Sequence, residues 1–166
     1  YLYKFVSNGS YDPANRASGA NLLDSGTLYV ARFDAGTVVG DNQGTGVWLP
    51  LVFGQNGLTA ENGFANQAEV VIKARQAADR VGATMMDRPE WVAANRTKAG
   101  EVFVACTNNN RRGSTPASSN KVDGTTVAGS ARPAVDEANP RAGNNWGHVI
   151  RFNEANADAA STTFNW

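Results

Sequence analysis

The stretch EVFVACTN (residues 101–108) places Val102, Val104 and Cys106 on one side of an alternating run. Alternation with a period of two predicts a β-strand that has one buried face. Outward from this stretch, strand-like runs occur at 91–94, 147–153 and 162–166, with turn residues between them. Four short antiparallel strands in succession are typical of one blade of a β-propeller, although a β-sandwich gives a similar pattern. The sequence therefore predicts an all-β fold, and we take the propeller as the first expectation.

The first half of the chain adds two strands and one helix to this picture. The segments 27–33 and 47–53 are apolar or alternating, and Pro50 places the second of them at an edge or a bulge. Between residues 64 and 81 the apolar positions follow helical spacing, and Gly82 lies where a C-terminal cap belongs. The pattern predicts a single amphipathic helix over 64–81, inserted into a series of short strands.

Residues 111–138 are rich in Ser, Thr, Gly and Pro. This composition predicts a long polar loop, and loops of such length are functional or mobile more often than not. The chain opens on YLYKFV and closes on TTFNW, which both resemble the middle of a strand. We therefore expect residues 1–166 to be an internal segment of one longer domain.

Composition excludes several classes of function. The 166 residues carry a formal net charge of zero, so nothing indicates binding to nucleic acid or to an anionic membrane. The sequence contains no apolar run of about 18 residues, and hence predicts no membrane span. One cysteine and one histidine cannot form a thiolate zinc site or a histidine cluster. A bound metal would need oxygen ligands, which points to hard cations such as calcium.

Two runs combine charged residues with rigid turns beside strands: DRPEW at 87–91 and NPRAGNNWGHVIRF at 139–152. Glu90 could bind a hard cation from the start of a strand, or Asp87 and Glu90 could both bond to Arg88 in a structural turn. The guanidinium of Arg141 could hold phosphate oxygens in a bidentate manner. It could instead stack on Trp146 or Trp91, or pair with Asp136.

Three asparagines at 108–110 follow a strand and precede Arg111 and Arg112. Asn108 is a candidate calcium ligand through its amide oxygen, although turn formation explains asparagines equally well. The two arginines could meet a phosphate. His148, within a strand pattern, and Cys106, on its apolar face, are interpreted as structural residues.

The segments LYKFVS, LLDSGTLYVARF, WLPL, FANQAEVVIKARQAADRVGATMMDRPEWV, EVFVACTNNNRRG and NPRAGNNWGHVIRF resemble, in order, segments of the PhoX-type alkaline phosphatase family. The resemblance implies a six-bladed β-propeller, of which this chain would be about two blades. It implies a secreted or periplasmic protein that hydrolyses phosphate monoesters with a calcium and iron cluster. The remaining blades of the same protein would complete the site.

The resemblance also implies roles for individual residues. It makes Glu90 of DRPEW a metal ligand, and Arg141 of NPRA a residue near the substrate phosphate. Many family members carry a metal-binding glutamate where this chain has Gly143. Because glycine has no ligand atom, iron is less supported here than calcium. The family's metal-bridging cysteine lies in a segment that this chain lacks, so Cys106 does not take that role.

Two hypotheses of different class follow. In the first, the chain belongs to a metal-dependent phosphomonoesterase in which cations polarise the phosphate and Arg141 binds a phosphoryl oxygen. In the second, it belongs to a non-catalytic secreted propeller, a binding or scaffold protein that retains structural calcium. Glu90 and Arg141 favour the first hypothesis, and Gly143 favours the second.

Overall fold

The computed structural model describes residues 1–114 and 132–166, and most of its regular structure is β-sheet. In chain order, the strands of these residues are β1 (Tyr3–Ser7), β2 (Gly26–Ala35), β3 (Gly44–Pro50), β4 (Pro89–Ala94), β5 (Glu101–Cys106), β6 (His148–Glu154) and β7 (Thr163–Asn165). The same residues contain the helices α1 (Gln67–Ile72) and α2 (Ala74–Arg80), and short 3-10 turns at 16–19, 60–62 and 155–157. The expected all-β class therefore fits the protein.

The strands of the described residues form one antiparallel sheet in the order β1-β2-β3-β7-β6-β5-β4. β7 pairs with β3 on one side and with β6 on the other, so it joins the two halves of the sheet. The predicted set of four strands is present as the neighbours β4, β5, β6 and β7. Because these strands continue into β3 without a break, the six-bladed propeller stays a prediction.

Apolar side chains form a cluster on each face of the sheet. In β2, Val30 lies on one face while Ala31 and Phe33 lie on the other, as the alternation of a strand requires. The first face packs against the helices through Val30, Leu51, Leu58, Phe64, Val70, Ala77, Ala78 and Ala83. The second face is buried around Leu2, Ala31, Phe33, Trp48, Met86, Val104, Cys106, Ala138, Ile150, Phe152 and Phe164.

The prediction of a single helix over 64–81 is wrong in one respect: the helix is divided at Lys73. The backbone of Lys73 has φ −92° and ψ 32°, outside the helical region, and its Nζ donates to the carbonyl of Gly63 at 2.8 Å. Val70 is buried before this break, whereas Ile72 is 82% exposed. The two alanines Ala77 and Ala78 supply the buried contacts of the second helix. The break therefore gives two short helices, of which the first buries Val70 and the second buries Ala77 and Ala78.

The predicted loop 111–138 is described only at its ends. Residues 115–131 lie outside the described residues, while 132–138 pack back onto the sheet through Pro133 and Ala138, which are buried. In the described part of the chain, no helix is long and apolar enough to cross a membrane.

The outer face of β4, β5 and β6 exposes large apolar side chains. Trp91 is 74% exposed and Val149 is 65% exposed, and both lie in register with Ala105 on the strand between them. Phe103 contributes one more partly exposed ring on the same face. Contiguous apolar surface of this kind marks an interaction site more often than a free surface.

Gly46 sets the junction between β3 and β7. Its Cα is the register partner of Phe164, whose ring packs on Phe33 and Trp48 with centroids 5.1 and 5.2 Å away. A Cβ on Gly46 would lie 2.1 Å from the Phe164 ring. Gly46→Ala should therefore destabilise the intact protein by about 1–3 kcal/mol through overpacking, measured by urea unfolding.

The matched control is Gly9→Ala, because a Cβ there would meet only side-chain atoms: the end of Leu22 at 3.1 Å and the hydroxyl of Ser7 at 3.9 Å. If both variants unfold at the wild-type midpoint, the packing of Phe164 over Gly46 is not what joins the two halves.

Candidate active site

The sequence-predicted site residues lie at one end of three neighbouring strands. β4 begins at Pro89, β5 ends at Cys106 and β6 begins at His148, and these three residues are register partners. Glu90 follows the first of them, and Asn108 lies two residues beyond the second. The structure therefore brings the backbones of both predicted metal ligands to the same edge of the sheet.

Glu90 occupies a β-bulge. Pro89 pairs with Cys106 and Trp91 pairs with Ala105, so Glu90 has no residue opposite it on β5. Bulges re-aim side chains and are frequent beside active sites. Glu90 is exposed, and no hydrogen bond or ion pair holds its carboxylate within residues 1–114 and 132–166. The alternative of a turn built on an Asp87 or Glu90 pair with Arg88 is not observed, because Asp87 pairs with Arg112.

Arg141 lies in the segment that leads into β6. Its Nη2 donates to the carbonyl of Gly147, the residue before β6 begins. Gly147 itself packs on the end of β5: a Cβ there would lie 2.0 Å from the Cys106 carbonyl, and its φ is +68°. Only glycine tolerates this combination of close approach and positive φ. Arg141 is therefore anchored, with an exposed side chain, at the edge that carries Glu90.

A buried polar network beneath this edge was not predicted from the sequence. At its centre, Nε of Arg112 donates to Oδ1 of Asp87 at 2.5 Å, and both side chains are 0% exposed. The sequence indicates that Arg112 could contact a phosphate, but its side chain is buried. A buried charged pair persists only when its remaining hydrogen-bonding atoms also find partners.

The other donors of Arg112 do find partners among the described residues. Nη1 donates to the carbonyl of Ala134 at 2.6 Å and to the carboxylate of Asp136 at 3.2 Å, and Nη2 donates to the carbonyl of Met85. Because Asp136 is engaged here, the alternative pairing of Arg141 with Asp136 is not seen. Arg112 therefore fastens the segment after residue 131 to the segment that leads into β4.

Two asparagines extend the network toward Arg141. Asn144 is 2% exposed and donates from Nδ2 to Oδ2 of Asp87 at 2.8 Å. Asn139, fully buried, accepts a hydrogen bond from the backbone N–H of Asp87 at 3.1 Å and donates to Asp136 at 2.9 Å. The sequence signal for these roles was weak, because asparagine in a Pro- and Gly-containing segment ordinarily indicates a turn.

His148 and Cys106 have the structural character expected of them. Nδ1 of His148 lies 3.2 Å from Nδ2 of Asn144. Burial lowers the pKa of His148 and so favours the neutral ring, although the charge of Asp87 opposes this effect. Burial raises the pKa of the Cys106 thiol to about 11. A neutral thiol inside the core is a poor metal ligand and a poor nucleophile.

The donor set of the described residues does not suffice for a metal ion. Among the residues that the structure describes, no three His, Cys, Asp or Glu side chains come together as a metal site. Glu90 and Asn108 offer one carboxylate and one amide, whereas calcium takes about 6–8 oxygen ligands. Asp87 is already committed to Arg112 and Asn144. Further ligands would have to come from outside these residues.

Gly143 lies in the same segment as Arg141 and has an open environment. An added Cβ would have only the carbonyl of Asn110 nearby, at 4.0 Å, and the φ of Gly143 is +54°. Its N–H donates to the carbonyl of Arg112 at 2.9 Å. The position thus has room for a side chain and supplies no ligand atom of its own.

Comparison with known proteins gives one family and one solved structure. The model of the family "Alkaline phosphatase PhoX" matches residues 1–166. The structure of Pseudomonas fluorescens PhoX in complex with vanadate, a transition-state analogue, is 42% identical, with a TM-score of 0.84. The match covers 99% of this chain and 26% of that chain, so this chain spans about a quarter of the length of that structure. A search of curated proteins gives no significant match. On this similarity of sequence and fold, the chain belongs to the PhoX alkaline phosphatase family.

Proposed function

We propose that this chain forms part of the active site of a metal-dependent phosphomonoesterase of the alkaline phosphatase type. The observation that carries the proposal is that Pro89, beside Glu90, and His148, beside the Gly147 carbonyl that Arg141 contacts, are both register partners of Cys106. These residues belong to a chain similar to a phosphatase solved with a phosphate-like inhibitor. The substrate class proposed is a phosphate monoester.

In this proposal Arg141 binds the phosphoryl group. Its guanidinium is exposed, and a single hydrogen bond, to the Gly147 carbonyl, holds it within the described residues. That hydrogen bond orients the planar guanidinium and leaves its other N–H groups to donate to phosphate oxygens. Donors that are already oriented stabilise the charge that develops on these oxygens in the transition state.

Glu90, with Asn108 beside it, is proposed as this chain's contribution to a cation site. The unpaired carboxylate of Glu90 suits a hard cation, which favours calcium. Iron is less supported, because Gly143 gives no ligand and Cys106 is a buried, neutral thiol. The described residues alone do not complete a metal site, so the remaining ligands would come from other parts of the protein.

Further polypeptide is proposed to cover the outer face around Trp91 and Val149. The solved relative is a far longer chain, of which this one matches 26%. In a six-bladed propeller the remaining blades of the same protein would provide the missing contacts and ligands. A periplasmic or extracellular location is proposed from the family alone.

The ligand role of Glu90 predicts a joint loss of metal and activity. In the intact protein, Glu90→Gln keeps the size of the side chain and removes its charge. Bound calcium and phosphatase activity should fall together, by about tenfold or more. The measurements are elemental analysis and hydrolysis of p-nitrophenyl phosphate.

Glu61→Gln is the matched control, since Glu61 is exposed in the 3-10 turn at 60–62 and the change removes the same charge. Full metal content and full activity in Glu90→Gln would show that Glu90 is not a ligand.

The alternative function, a non-catalytic secreted propeller with structural calcium, is favoured by Gly143 alone. Gly143→Glu should fold, with a backbone cost of about 1–3 kcal/mol at positive φ. If the site lacks only this carboxylate for full metal loading, the variant should bind more metal than Gly143→Gln, which carries the same strain without charge.

The assay that separates the two functions uses the intact protein with p-nitrophenyl phosphate and calcium. The enzyme proposal expects hydrolysis that an Arg141 variant loses. Bound calcium without hydrolysis, in wild type and in Gly143→Glu alike, would favour the non-catalytic alternative.

A further inference from the structure

We infer that the buried hydrogen bond between Asp87 and Asn144 sets Arg141 and Glu90 in position relative to each other, so that Asp87 and Asn144 are positioning residues of the site. The inference rests on the proposed function. Neither residue reaches the surface, since Asp87 is 0% and Asn144 2% exposed. Any effect on substrate must therefore act through the exposed residues beside them.

The bond joins the two segments that carry the proposed site. Asp87 precedes Glu90 by three residues, and Asn144 follows Arg141 by three residues. Nδ2 of Asn144 and Oδ2 of Asp87 are 2.8 Å apart. A second tie runs beside it, from the N–H of Asp87 to Oδ1 of Asn139, two residues before Arg141.

Asn144 also stabilises the turn to which the Arg141 side chain is hydrogen-bonded. Its Oδ1 accepts the N–H of Gly147 at 3.0 Å, and the carbonyl of Gly147 accepts the Nη2 of Arg141. One side chain thus links Asp87, through its amide N–H, to the anchor of Arg141, through its amide oxygen. Loss of either end would release the guanidinium from its present place.

Asp87 is in turn fixed by Arg112. Oδ1 of Asp87 accepts from Arg112, so its carboxylate cannot rotate without leaving a buried cation unpaired. Arg112 is also held by the carbonyls of Met85 and Ala134. Asp87, Arg112 and Asn144 each have hydrogen-bond partners, so displacing any one of them leaves a buried polar group unsatisfied.

The expected consequence is a specific loss of substrate handling. A shift of about 1 Å in a group that binds the reacting phosphate can lower the rate about 100-fold. A purely structural role would instead lower stability and leave the kinetic constants of the folded enzyme unchanged. The two roles can be separated by exchanging the hydrogen-bond donor and acceptor between positions 144 and 87.

The experiment compares Asn144→Asp, Asp87→Asn and the double variant in the intact protein. Asn144→Asp keeps an oxygen for the Gly147 N–H but sets two carboxylates against each other. Asp87→Asn sets two amide NH₂ groups against each other. The double variant restores one donor facing one acceptor, keeps an oxygen for Arg112 and preserves the net charge.

Asn144→Ser is the second single variant, for use if the charged one does not fold. Its hydroxyl can still accept a local backbone N–H, but it is too short to reach Asp87. The charge-matched control is Asn66→Asp, at the exposed N-cap of α1, where the side-chain oxygen remains a cap acceptor.

Three quantities are measured on each variant: kcat and KM for p-nitrophenyl phosphate, bound metal, and amide hydrogen exchange in peptides that contain 87–91 and 139–147. We expect each single variant to lose about 10- to 100-fold in kcat/KM, chiefly through kcat, with faster exchange in both segments. The double variant should recover most of the loss in both readouts, and Asn66→Asp should match wild type.

Wild-type kcat/KM in Asn144→Ser, exchange that rises only in 139–147, or no recovery in the double variant would each overturn the inference. If the wild-type protein hydrolyses no phosphate monoester, the proposed function fails, and hydrogen exchange still decides whether the two segments are coupled through this bond.

Discussion

Replacing Arg141 by alanine in the intact protein should lower kcat/KM for p-nitrophenyl phosphate by about 100- to 1,000-fold, the usual cost of removing one oriented donor from a developing oxyanion. The substitution removes an exposed side chain whose hydrogen bond in the described structure is to the Gly147 carbonyl. Bound metal should stay within error of wild type, because a guanidinium does not bind cations. Folding stability should change little, since no buried charge is left behind.

Two further variants make this result specific. Arg141→Lys retains the charge but loses the planar fork, so its kcat/KM should lie between those of wild type and Arg141→Ala. Arg96→Ala removes an exposed arginine between β4 and β5 and should have no effect. If Arg141→Ala keeps wild-type kinetics, or loses metal to the same extent as activity, Arg141 is not the phosphate-binding group.

Replacing Arg112 by methionine should destabilise the intact protein by about 3–5 kcal/mol, the range for removing one partner of a buried ion pair. Methionine fills much of the same volume, so the loss comes mainly from Asp87, whose buried carboxylate keeps only its other hydrogen bonds. The carbonyls of Met85 and Ala134 lose donors as well. Urea or thermal unfolding measures the change.

A surface pair provides the control for this prediction. Arg32 and Asp34 form an ion pair at 2.9 Å with side chains that are 44% and 41% exposed. Arg32→Met should therefore cost less than about 1 kcal/mol. Adding Asp87→Asn to Arg112→Met should recover part of the stability, because the unpaired charge is then gone. Equal effects of the two arginine substitutions would contradict the burial of the Arg112 pair.

The strands of this protein are predictable because their signal is local. Alternation at 101–107 and 147–153 leads directly to β5 and β6, since one face of each packs in the core. The pairing of β7 with β3 was not predictable, because it depends on contacts between distant segments such as Gly46 and Phe164. The break in the helix at Lys73 was not predictable either, because it also depends on tertiary packing.

The roles of Glu90 and Arg141 stay predictions. Both stand out in sequence because they combine charge with rigid turns, and β4, which contains Glu90, and β6, which follows Arg141, both pair with β5. Arg112 does not stand out, because an Asn- and Arg-rich run ordinarily indicates a solvated turn. Its burial depends on Asp87, 25 residues earlier, and on Asp136, 24 residues later. No local pattern encodes such a pair.

The most direct test of the central claim, that Arg141 and Glu90 serve one phosphate site, is a crystal structure of the intact protein with vanadate. We expect a vanadate oxygen within about 2.7–3.2 Å of the Arg141 guanidinium. We also expect the Glu90 carboxylate on a cation at the same edge of β4, β5 and β6. Vanadate bound elsewhere, with Arg141 making no contact to it, would show that the two residues do not serve one phosphate site.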